Sequence, residues 1–164
     1  MNKSLTYLII LLGAIALLGV SIMNSQSISK IEEQMALKRL VDTFSNLADV
    51  KDVEAQMTLF TDDAEVHSKS GDRVSVMKGK EQIGTAFTNY LAQFDVVYHL
   101  NGQQTVEIDG DTATGTAYCF VTLIGNGRKN QSGVRYTDTY VKQNGKWLIK
   151  KRESDFMFTT VDEL

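Results

Sequence analysis

No proline occurs in the 164-residue chain, so no polyproline linker separates folded parts. Cysteine is nearly absent too. A lone Cys119 can neither close an internal disulfide nor by itself build a zinc site. Two histidines, His67 and His99, exclude a histidine-rich metal cluster, and no metal or cofactor is implied by any other spacing. Basic residues are in deficit: 17 Lys and Arg stand against 20 Asp and Glu, and residues 28–164 carry 16 against 20. That balance gives a phosphate backbone no electrostatic foothold and excludes nucleic acid as a partner. Internal repeats and low-complexity runs are missing as well. What remains is 43% apolar and 23% charged residues, the composition of an ordinary globular protein with one domain's worth of chain.

The charges are missing most completely near the N-terminus. From Leu5 to Met23 there is no charged residue, and only Lys3 precedes the run. A signal peptide has a basic start and an apolar stretch of about 7–15 residues, whereas a spanning helix needs about 20. The densest apolar block, Tyr7 to Val20, fits the first description and the whole run nearly fits the second. Residues 1–27 therefore read as a signal peptide or an N-terminal membrane anchor, with small residues at Ser25 and Ser27 for cleavage. No cysteine follows, which excludes lipoprotein processing. Positive charge at the extreme N-terminus keeps that end in the cytoplasm and sends the rest outward. The expected location is outside the cytoplasmic membrane, secreted or periplasmic, or anchored through residues 5–23 if uncleaved.

Residues 28–35 read as a polar tether or the frayed start of a helix, and residues 36–160 as one domain. Leu37, Leu40, Val41, Phe44, Leu47 and Ala48 form a helical stripe. Asp49 stops it and can cap a shorter helix with Val53, Met57 and Phe60 on its buried side. Residues 64–68 and 74–77 read as a short hairpin around Ser70-Gly71-Asp72. A third helix follows Gly79, with Ile83, Phe87, Tyr90, Leu91 and Phe94 on one face. After Asp95 the period changes to two, giving strands over 96–108, 112–124, 134–142 and 147–158. Asp109-Gly110-Asp111 and Asn144-Gly145 supply hairpin turns, while residues 125–133 read as a longer mobile loop. Helices first and a meander afterwards predict an α+β domain, with helices on one face of a curved antiparallel sheet. In the strand over 112–123, Ala113, Gly115, Ala117, Cys119, Val121 and Leu123 form a small apolar side suited to pack under helices around a cavity. Cys119 is then a buried small hydrophobe. The opposite side, with Tyr118 and Phe120 among threonines, suits a dimer surface.

Several local patterns resemble the SnoaL-like branch of the nuclear transport factor 2-like superfamily. Residues 44–52 and 59–64 resemble its first two helices and the step into strand one, and Lys78-Gly79-Lys80-Glu81-Gln82-Ile83 its third-helix start. His99-Leu100-Asn101-Gly102 and Ile108-Asp109-Gly110-Asp111 resemble its central hairpin. Tyr136 to Tyr140, Asn144 to Ile149 and Arg152 resemble its last hairpin. The resemblance implies a cone-shaped curved antiparallel sheet wrapped around three N-terminal helices, here preceded by one hydrophobic leader helix. It further implies a pocket between helices and sheet, and a homodimer formed through the sheet. It does not specify a reaction, because this fold hosts dehydratases, isomerases, cyclases and plain binding proteins.

Members that dehydrate or isomerise ring compounds use an Asp or His as base, with polar groups where an enolate-like oxygen develops. His99 matches their pocket histidine by position, and Asp49 matches the acidic residue facing it. As plain structure, His99 is a histidine satisfied within a sheet and Asp49 a helix cap. Phe44 stands where dehydratase-like members carry a tyrosine, so its hydroxyl is missing, and a second strand-borne histidine has no counterpart. Tyr90, Tyr98, Tyr118 or Tyr136 can supply a hydroxyl, but periodicity does not place them. Arg152 matches a late-strand arginine at the pocket mouth, yet it sits in a Lys150-Lys151-Arg152-Glu153 run that reads more naturally as surface. His67 reads as structural or exposed. The leading expectation is an envelope protein whose pocket, lined by Phe44, His99 and Arg152, binds a small, mostly apolar molecule. A cofactor-independent lyase or isomerase with His99 and Asp49 as acid/base pair is the alternative; an assembly partner using the outer sheet face is a third. The enzyme requires the two side chains within roughly 4–8 Å of each other at a closed apolar cavity.

Overall fold

The structure, a computed structural model, describes residues 27–164. The leader's apolar run, residues 5–23, lies outside them. Among the described residues no helix is long and apolar enough to cross a membrane. The chain divides into two compact units, Met1–Ala36 and Leu37–Leu164. In the first, residues 27–36 are helical and mostly exposed.

The second unit opens with helix α1, residues 37–49, whose Leu37, Leu40, Val41, Phe44 and Ala48 are buried as their 3–4 spacing requires. The helix ends in paired reverse bonds, Lys51 N to Ala48 O and Asp52 N to Leu47 O, both 2.9 Å. Lys51 sits in the left-handed region at φ 58° to allow them. Helix α2, Val53–Met57, is capped by Asp52, whose Oδ1 accepts from Ala55 N at 3.0 Å. The cap expected of Asp49 therefore falls to Asp52, three residues before the amide it must reach. Phe60 opens strand β1, Phe60–Ser70, instead of closing α2. β2, Arg73–Lys78, pairs back on it, and helix α3, Gly79–Leu91, follows. Ile83 and Leu91 are buried on α3, but Tyr90 is 45% exposed and Phe94 lies beyond the helix end.

Strands β3, Val96–Asp109, β4, Thr112–Gly125, β5, Arg128–Gln143, and β6, Lys146–Glu163, form an antiparallel meander. The sheet order is β2-β1-β6-β5-β4-β3, curved and open, with β2 and β3 at its edges. Two expectations are corrected here. The antiparallel pattern is broken once, because β1 joins the free edge of β6 in parallel. The mobile loop over 125–133 is a tight hairpin, since Asn126 and Gly127 both hold positive φ and Arg128 already pairs with Gly125. β6 also runs to Glu163, pairing there with Arg128. Along β4 the small side is buried and the threonine side is not, and Cys119 is buried as expected. Burial pushes the Cys119 thiol up to about 12, which keeps it protonated.

Candidate active site

Two cross-ties fix α1 against β3. Asn101, where β3 bulges, donates to Asp42 Oδ1 at 3.0 Å and accepts from Ser45 Oγ at 3.0 Å. Two residues earlier on the same strand, His99 Nδ1 lies 2.7 Å from Oδ1 of Asp49, the last residue of α1. The strand thus delivers His99 inward and the helix end delivers Asp49 to meet it, well inside the distance an acid/base pair requires. Burial is the main force lowering the pKa of His99, with the nearby Arg152 guanidinium adding to it and Asp49 opposing. The imidazole is therefore neutral near neutral pH. In that state Nδ1–H donates to Asp49, and Nε2 keeps a lone pair with no partner among the described residues.

His99 lines a cavity of about 570 Å³ between the helices and the inner face of the sheet. Phe44, Phe87, Leu91, Leu123 and Tyr136 give it an apolar wall. Arg152 lines it too, and is no surface residue: its side chain is 1% exposed. The guanidinium is gripped by Asp138 through Nε–Oδ1 and Nη2–Oδ2 bonds of 2.9 and 2.7 Å. Tyr140 Oη donates to the same carboxylate at 2.8 Å. The rings of Phe44 and Tyr136 each lie 4.3 Å from the guanidinium carbon, forming a slot around it. Burial disfavours the Arg152 charge, but the Asp138 carboxylate outweighs this and holds its pKa above the usual value. One nitrogen, Nη1, is left buried and without a partner among the described residues. Phe44 thus serves as packing for a cation where a tyrosine would have offered a hydroxyl.

Of the residues singled out in the sequence, Asp49, His99, Phe44 and Arg152 meet at one site. His67 does not: it lies on β1 beside Glu65, with Nε2 3.0 Å from Oε2. Of the four tyrosines considered, Tyr90 and Tyr136 line the cavity, while Asp138 and Gln56 were not recognised as site residues. Gln56, fully buried on α2, donates to the Phe44 carbonyl at 3.0 Å and leaves Oε1 unpartnered on the cavity wall. For Asp138 the signal was its place between Tyr136 and Tyr140 on one strand face, since an inward carboxylate demands a cation. Chemically the site offers a neutral imidazole base, a carboxylate that orients it, and a fixed cationic donor, in a cavity that stays open on one side.

The comparisons agree with this architecture. An uncharacterised protein of Mycobacterium bovis is 26% identical over 129 residues, covering 77% of this chain and 86% of that protein. Among solved structures, one described as a candidate scytalone dehydratase from Novosphingobium aromaticivorans superposes with a TM-score of 0.73 at 21% identity, covering 82% of this chain and 91% of that one. A hexachlorocyclohexane dehydrochlorinase from Novosphingobium barchaimii gives 0.71 at 17% identity, covering 81% and 92%. The profile of the SnoaL-like domain matches residues 29–153, most of the chain, and the protein belongs to the SnoaL-like domain family.

Proposed function

We propose that the protein is a cofactor-independent lyase that eliminates water from a cyclic hydroxy-carbonyl compound. The observation that carries this is His99 on the cavity wall, held from behind by Asp49 at 2.7 Å, with no protein partner on Nε2 among the described residues. His99 Nε2 takes the proton next to the substrate carbonyl, and the electron pair moves onto the carbonyl oxygen as an enolate. Arg152 Nη1–H stabilises that oxygen. Collapse of the enolate forms the carbon–carbon double bond and expels the β-hydroxyl, which leaves as water with the proton returned by His99. Asp49 touches only the imidazole, fixing its tautomer and supporting its transient charge. The two structural neighbours named above are described as a dehydratase and a dehydrochlorinase, both names for eliminations.

The test is 3-hydroxycyclohexanone in deuterated buffer, following cyclohexenone formation by absorbance and exchange of the C2 protons by NMR. Wild-type protein is expected to accelerate both, and His99→Ala to lose both while remaining folded. Equal rates for the two proteins would overturn the reading. We propose separately that the protein works outside the cytoplasmic membrane, a reading supported by the uncharged run at 5–23 behind Lys3. Protease added to intact cells whose outer barrier has been removed should digest the protein. Protection until the inner membrane is lysed would place it in the cytoplasm.

A further inference from the structure

The wall of the cavity changes character along the sheet. Around His99 and Arg152 it is aromatic and aliphatic, but across β2, β1 and β6 it turns to hydroxyls. Ser68 pairs with Ser75 on one side and with Ser154 on the other, so the three form one row across three strands, all lining the cavity. Ser70 lies two residues further along the same face of β1. Where β5 meets β6, Ser132 and Thr159 line the same space with their hydroxyls 2.8 Å apart. Among the described residues, the hydroxyls of Ser68, Ser75 and Ser154 have no hydrogen-bond partner in the protein, although Ser154 is only 9% exposed. The fully buried Gln56 adds an unpartnered acceptor, Oε1, whose orientation is set because Nε2 is committed to the Phe44 carbonyl. Among the described residues no Asp, Glu or Lys lines the cavity, and Arg152 is already held by Asp138.

Ser154 is buried, Ser68 half-buried and Ser75 exposed, so a ligand seated along the row would cover these hydroxyls and must bond to them in place of water. A charged group would meet no free counter-charge on this wall, and a pure hydrocarbon would leave the row unsatisfied. Neutral hydroxyls, which donate and accept as serine does, match it. We propose that the substrate is uncharged and two-sided: an apolar ring against His99, Phe44 and Tyr136, and a polyhydroxylated group, a polyol or sugar residue, along Ser75, Ser68 and Ser154. This rests on the lyase reading for which end of the molecule reacts, but the hydroxyl subsite is a matter of binding alone.

The experiment measures binding of three probes to the full chain by ligand-observed NMR. They are phenyl β-D-glucoside, phenyl β-D-glucuronide, and cyclohexyl phenyl ether, which has the same ring count without the hydroxyls. The glucoside is expected to bind at least about tenfold tighter than either of the others. A Ser68→Ala/Ser154→Ala double variant should lose most of that preference while its affinity for the ether stays unchanged, which also reports that it is folded. The inference is overturned if the ether or the glucuronide binds as well as the glucoside, if the double variant keeps the preference, or if the glucoside does not bind. His99→Ala separates this from the lyase reading. Glucoside binding retained in His99→Ala, with no elimination by wild type, removes the lyase and leaves the subsite. Elimination from 3-hydroxycyclohexanone with no glucoside binding does the reverse.

Discussion

His99 is depressed in pKa mainly by burial, and this sets two pH dependences of known sign. In the window between its folded value and the ordinary 6.5, the unfolded chain binds the extra proton and the folded one does not. Folding stability therefore falls as pH drops through that window, and urea melts at stepped pH should show it. The basic form persists to the same depressed value, so kcat/KM should hold its plateau below pH 6.5 before declining. Asp49→Asn removes the group that raises the His99 pKa, moving that decline lower still while cutting kcat/KM by about 10²–10⁴. A purely structural Asp49 would alter melting and leave the profile in place. The buried pair behaves differently. Asp138→Ala strands the Arg152 charge inside and should cost about 3–5 kcal/mol in a denaturant melt, whereas replacing both by apolar residues should cost much less. Two glycines give a sharper contrast. A Cβ on Gly125 would sit 2.6 Å from the backbone oxygen of Gln93, which cannot move aside, while one on Gly133 would meet the ring of Phe158, half-exposed and able to rotate outward. Gly125→Ala should lower Tm clearly more than Gly133→Ala, and Phe158→Ala should rescue only the second.

At the scale of elements, the sheet shows why one site residue was legible and another was not. The Asn144-Gly145 turn fixes a register in which Gln143 pairs with Lys146 and Tyr140 with Ile149. Continued without interruption, it would set Asp138 opposite Lys151 and turn Arg152 outward, which is how the basic run reads. A bulge between Thr139 and Tyr140 shifts the pairing by one, so Asp138 faces Arg152 and the inward positions of β6 change parity from there to Phe156. The bulge on β3 between Asn101 and Gln104 does the same beyond His99. Periodicity carries element order and hairpin turns, because both are local. It does not carry bulges, which depend on the partner strand, so Arg152 and Asp138 emerged only with the register in hand. Deleting Lys150 removes the extra residue. Arg152 then still falls opposite Asp138 in regular register, so we expect cooperative unfolding to survive the deletion, whereas one alanine inserted after Lys151 should turn Arg152 outward and weaken the melt.

For the folded unit as a whole, the outer sheet face presents Leu100, Phe120 and Phe158 in one cross-strand line through Gly133, with Tyr98 beside it. These four side chains are 37–56% exposed. An apolar row of this kind rarely stays in water, and we propose that it pairs two copies of the chain. Sedimentation should show a dimer that Leu100→Lys/Phe120→Lys converts to a monomer with the site intact; a monomeric wild type would remove the proposal.

The parallel joint between β1 and β6 reaches beyond the finished structure. It ties Phe60 to Ile149 and Ser70 to Phe156, so the sheet's two halves meet only through the last strand made. Until residues 146–163 are in place, β1 and β2 have only each other and α3 to lean on, and the two parts of the sheet are not joined. Joining β1 to β6 closes a loop of about 80 residues, so this seam should be among the slowest contacts to form. A sheet joined through a single non-local seam is one whose two parts can be kept apart, and passed through a narrow channel, before that seam forms.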